Sequence, residues 1–135
     1  MPDVITLHKN AWKTMVQHAV ACLPQEGCGL LGGVYHSCRV AIPVTNSLQS
    51  STEFRMEPKE QLAAMLKIEE LGYELIGIFH SHPNGPTHPS EKDVLGHLYP
   101  GVFTMILSPK NDRWSLNIFN IQNGQYSEVR GNIIR

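Results

Sequence analysis

The apolar, β-prone run Leu75-Ile76-Gly77-Ile78-Phe79 leads directly into His80-Ser81-His82-Pro83, and this junction constrains the chain more than any other stretch. A run of that length and composition is expected to form a buried strand. Side chains alternate along a strand, so His80 and His82 point the same way and Ser81 points elsewhere. A Pro/Gly-rich loop then separates the histidines from Ser90-Glu91-Lys92-Asp93, where Asp93 falls in the first turn of an expected helix. The fold must therefore end a sheet strand where two imidazoles and a carboxylate can face one ion. Two His and one carboxylate leave a fourth tetrahedral position for water, the pattern of a catalytic rather than a structural zinc site. Iron or nickel accept similar donors. His88, on the same loop, is a rival third ligand, whereas His8, His18, His36 and His97 have no comparable context.

At 135 residues the chain suits one domain, residues 1–135, with a real core. Its 41% hydrophobic and 17% charged residues describe a soluble globular protein, and its apolar runs are strand-sized, too short to span a membrane. No basic region precedes an apolar core at the N-terminus, so no secretory signal is expected. A net charge of -1 with scattered basic residues gives no nucleic-acid footprint. Cys22, Cys28 and Cys38 form neither a CxxC pair nor an even set, which points to reduced thiols in a cytoplasmic protein.

The pattern outside the histidine strand predicts a mixed α/β sheet packed by about three helices. Trp12, Met15, Val16, Ala19 and Val20 recur at helical spacing, and Pro24 stops that helix. Leu30 to Tyr35 and Arg39 to Thr45 read as strands, with Pro43 marking an edge or a bulge. A short strand is expected around Phe54 and Met56. Pro58 opens a helix with Leu62, Met65, Leu66 and Leu71 on its apolar side and Gly72 as its stop. Ser90 caps a helix through Val94, Leu95 and Leu98, ended by Pro100-Gly101. Val102 to Leu107 and Trp114 to Ile121 are further strands, and Asn123-Gly124 turns Gln125 to Val129 back in a hairpin.

Hydrolysis needs a base as well as a metal. Glu26 is the candidate, at the junction of the first helix and the strand from Leu30, among glycines that let other backbone approach. An exposed loop glutamate is the plain alternative. Ser90 reads as an N-cap in an S-x-x-D capping box. An Asp93 tied to a metal is not expected to cap as well, and a Ser90 hydroxyl beside the ion could then hydrogen-bond an oxyanion.

Taken together, His80-Ser81-His82-Pro83, Ser90 and Asp93 resemble the H-x-H-P-x(6)-S-x-x-D signature of the JAMM (MPN+) metalloproteases. Pro24-Gln25-Glu26-Gly27-Cys28-Gly29 is similar to the upstream element that carries that family's glutamate, and the resemblance spans nearly the whole chain. It implies an MPN-like (cytidine-deaminase-like) α/β domain of the compact prokaryotic type. It also implies one Zn²⁺ per chain on His80, His82 and Asp93, Glu26 as general acid/base, and Ser90 steadying the oxyanion. The implied substrate is a ubiquitin-like or sulfur-carrier protein cleaved after its C-terminal Gly-Gly. Release of a C-terminal cysteine or other small adduct from a sulfur carrier is the alternative within hydrolases. A non-catalytic MPN scaffold and a RadC-like domain are the alternatives outside them; the intact ligand set argues against the first and the neutral charge against the second. The Gly-Gly tail is expected to run between the Asn46–Met56 segment and the residues around His97 to Val102. The oligomeric state is left open, a homodimer included.

Overall fold

A computed structural model describes residues 4–134. The elements run β1 (Val4–His8), α1 (Lys9–Cys22), β2 (Cys28–Val34), β3 (Ser37–Val44), α2 (Pro58–Glu70), β4 (Glu74–Ser81), α3 (Glu91–Leu95), β5 (Phe103–Lys110), β6 (Arg113–Gln122) and β7 (Gln125–Ile134). The strands form a closed barrel in the order β1-β3-β2-β4-β5-β6-β7. Pairs β1–β3, β4–β5 and β7–β1 are parallel and the others antiparallel. The mixed, curved sheet with three helices is the α/β class expected. Among the described residues no helix is long and apolar enough to cross a membrane.

Strand β2 explains the layering. Its sequence Cys28-Gly29-Leu30-Leu31-Gly32-Gly33 is buried throughout because helices cover both faces. Leu31 and Phe79 meet Met15 and Ala19 of α1, while Leu30 and Val44 meet Ala64 and Ile68 of α2. Gly32 admits Ile68, since a Cβ there would lie 2.9 Å from its side chain. Pro43 pairs only with Gly29 of β2, because β1 covers no more of β3 than Ser37 and Cys38. It thus occupies a local edge, as its missing N–H requires. Gly72 ends α2 at φ +78, with the Tyr73 N–H donating to Ile68 O at 3.0 Å.

Four expectations need correction. Phe54 and Met56 form no strand; Met56 makes only an isolated antiparallel bridge with Asn46. On α2 the buried stripe is Ala64 and Ile68, whereas Leu62 and Leu66 are 59% and 56% exposed. Close approach to the glycines of β2 selects the small residue over the leucines. Helix α3 stops at Gly96 rather than Pro100, because Leu95 and Leu98, 74% and 76% exposed, have no apolar surface to hold a longer helix. Strand β7 continues past Val129 to Ile134, held by its parallel pairing with β1.

Candidate active site

Strand β4 ends at Ser81, and alternation carries His80 and His82 to one side of it, as the sequence predicts. Three atoms converge there. His80 Nε2 and His82 Nε2 lie 3.0 Å apart, and Asp93 Oδ2 lies 3.1 Å from each. Tetrahedral ligands with bonds of about 2.0–2.1 Å sit about 3.3 Å from one another, so this trio could hold a small divalent ion with a shift of a few tenths of an ångström. All three side chains are nearly inaccessible, at 1%, 4% and 7% exposure. The donor set of two imidazoles and one carboxylate matches zinc chemistry.

The surroundings orient these donors. His82 Nδ1–H donates to Pro86 O at 2.8 Å, which leaves Nε2 free to face the site. The His80 ring stacks on Phe54 with centroids 4.5 Å apart. Asp93 reaches the site from the first turn of α3. The Asp93 N–H donates to Ser90 Oγ at 3.1 Å, and the Ser90 N–H donates to Asp93 Oδ2 at 2.9 Å. The capping box and the histidine contacts therefore coexist on one carboxylate, against the expectation that one excludes the other. A carboxylate oxygen has lone pairs for both. Ser90 Oγ acts as an acceptor in its cap, so its own proton remains available for donation.

Glu26 lies between α1 and β2, buried at 2% exposure. Its Oε2 stands 4.0 Å from His82 Nε2, and its Oε1 has no partner among the described residues. Glu26, His80 and His82 thus form a buried metal-capable group, and Asp93 contacts the same two imidazole nitrogens. Burial pushes the Glu26 carboxyl up to about 8; His82 opposes the rise, and the negative charges of Asp93 and Glu53 add to it. Burial holds His80 below the usual histidine range. Burial also disfavours charge on His82, but hydrogen bonds to Asp93 and Pro86 and the charges of Asp93 and Glu26 outweigh it and raise this ring. For Asp93, burial is overcome by the two histidine hydrogen bonds, and its carboxyl sits far below the usual range. A carboxyl poised near neutrality beside an anionic, imidazole-rich cluster is suited to moving protons.

His88 is not part of the cluster. It is exposed, contacts Pro89 O through Nδ1 at 3.1 Å, and stacks on Tyr126. Cys28 and Cys38 are buried free thiols, each pushed up to about 12 by burial, and neither enters the site. A groove of about 570 Å³ is lined by His80 and Asp93 together with Phe54, Arg55, Leu98 and Tyr99. Its lining draws on both segments expected to flank a tail. Sequence reasoning passed over Asn46 and Ser81, both buried beside Glu26. Alternation had turned Ser81 away from the ligands, the one signal that it had another task.

Residues 8–119 match the family of prokaryotic homologs of the JAB domain. The chain belongs to that family. Among JAB-domain relatives, the CysO-cysteine peptidase of Mycobacterium tuberculosis is 30% identical over 97% of this chain and 92% of its own. The desampylase of Pyrococcus furiosus is 35% identical over 78% of this chain and 74% of its own. The solution structure of protein DSY2949 from Desulfitobacterium hafniense superposes with a TM-score of 0.87 at 32% identity, covering 96% of this chain and 92% of that one. The expected family, JAB/MPN fold and hydrolytic class are thereby borne out.

Proposed function

We propose that this chain is a zinc-dependent peptidase that cuts after the C-terminal Gly-Gly of a ubiquitin-like or sulfur-carrier protein. One observation carries the reading: His80 Nε2, His82 Nε2 and Asp93 Oδ2 meet within 3.1 Å of one another beside the buried, partnerless Glu26 Oε1. His80, His82 and Asp93 would hold one Zn²⁺, and the ion when bound supplies Lewis acidity that brings the pKa of water to about 7. Glu26 then takes a proton from water and passes it to the leaving amine. The Ser90 hydroxyl donates a hydrogen bond to the oxyanion and keeps its proton.

The groove supports a thin, extended substrate. The bridge at Asn46 and Met56 uses Ser47 N–H to Arg55 O and Glu57 N–H to Thr45 O, so the Phe54 main chain is turned away from that pairing. A Gly-Gly tail has no side chains and can add to such an edge by β-augmentation. The reading places the protein in the cytoplasm, where its three thiols stay reduced.

A second reading is removal of a single C-terminal cysteine from a sulfur carrier. It is favoured by the similarity to the CysO-cysteine peptidase along 97% of this chain, against 78% for the desampylase. Incubation with a Gly-Gly-ended carrier, capped by cysteine or joined to a lysine side chain, separates the two by intact mass. Metal analysis tests the site: about one zinc per chain is expected, and Asp93→Ala should lose most of it. Full zinc in that variant refutes the ligand set.

A further inference from the structure

The main chain at Glu26 is held by an arrangement that neither the barrel nor a metal requires. β2 and β4 are in antiparallel register at Cys28 and His80, so Gly27 and Ser81 are the next pair. Only half of that rung is main chain: the Ser81 N–H donates to Gly27 O at 2.9 Å. The returning bond goes from the Gly27 N–H to the Ser81 hydroxyl at 2.8 Å, while the His82 N–H donates to Leu107 O as the parallel ladder with β5 runs on past Ser81. On the other side of the same peptide unit, Asn46 Nδ2 donates to Glu26 O at 3.1 Å. The Glu26 N–H donates to Ser50 O at 2.8 Å. The peptide that follows the Glu26 Cα is thus gripped at its C=O by one buried side chain and at its N–H by another. Asn46 also donates to Glu53 O and accepts from the N–H groups of Leu48 and Arg55, which ties this grip to the groove wall.

We infer that Ser81 and Asn46 are positioning residues that clamp the Glu26–Gly27 peptide and fix where the Glu26 carboxyl stands. The inference rests on Glu26 being the proton-transfer group. Geometry is the reason such a clamp matters, since displacing a catalytic group by about 1 Å costs on the order of a hundredfold in rate. Ser81 makes no contact with the ligand atoms, so its loss should leave the metal in place.

The test compares Ser81→Ala, Ser81→Thr and Glu26→Ala with the wild-type chain, zinc-loaded, on a sulfur carrier whose Gly-Gly end carries an added cysteine. Ser81→Ala should lower kcat at least about tenfold with KM within about twofold and zinc content unchanged. Exchange of the Gly27 amide, followed by NMR, should quicken about tenfold as its acceptor is lost. Ser81→Thr, which keeps the hydroxyl, should recover both. Wild-type kcat in Ser81→Ala, or a fall that tracks lost zinc, overturns the clamp. Turnover by Glu26→Ala overturns the assignment of Glu26 itself, so the two failures are distinct.

Discussion

Glu26→Gln should stabilise the metal-stripped protein by an amount that grows with pH. The carboxyl is raised from its ordinary 4.5 to about 8 by burial. Between those values the unfolded chain has released a proton that the folded chain keeps, so stability falls as pH rises through this window. At about 1.4 kcal/mol per tenfold, full ionisation costs up to about 5 kcal/mol. Water entry into the site reduces that toward about 2 kcal/mol. Glutamine has the same shape and no charge to desolvate. Near pH 4 the variant and the parent should agree within about 0.5 kcal/mol, and near pH 8.5 the variant should lead by about 2–5 kcal/mol. For 135 residues the unfolding entropy is about 0.3 kcal/mol/K, which makes the lead about 7–17 °C in Tm. Thermal unfolding in a chelator across this pH range reads it directly. A difference that is flat with pH, or a variant less stable at pH 8.5, refutes the buried, destabilised carboxyl.

Three other outcomes follow from the structure. Chelation of the zinc-loaded protein should lower stability by about 2.7 kcal/mol if free metal stood at a hundred times its Kd, seen as a Tm fall of about 10 °C that added zinc reverses. Gly29→Ala should cost about 1–3 kcal/mol in urea unfolding, because a Cβ there lies 2.4 Å from both Ile42 O and the Phe79 ring. Lys92→Ala should change stability by less than about 0.5 kcal/mol, since its 3.1 Å pair with Glu53 is solvent-exposed.

The site was legible where its information is local. His80, His82, Ser90 and Asp93 sit within one short stretch, and strand alternation alone gives the two imidazoles a common direction. Glu26 is different: its place between a helix and a glycine-rich strand made it a candidate, with an exposed loop glutamate as the alternative. Nothing local says that β2 and β4 will pair and bring it to His82, so the family resemblance had to decide. Long-range pairing also hid the full length of β7, which exists only because β1 returns beside it. On α2 two stripes at the same spacing competed, Leu62 and Leu66 against Ala64 and Ile68. Hydrophobicity favours the first and close packing on Gly32 the second. Asn46 read as loop because it is polar. Buried with its amide bonded to Glu26 O, Glu53 O, Leu48 N and Arg55 N, it is instead a fixed part of the site.

The most direct test of the account is intact-mass analysis of a cysteine-capped sulfur carrier incubated with zinc-loaded protein and with its Glu26→Gln variant at equal metal content. The account predicts that the wild-type chain trims the carrier to its Gly-Gly end, while Glu26→Gln keeps its zinc and loses at least about a hundredfold in rate. Trimming at the wild-type rate by Glu26→Gln would contradict it.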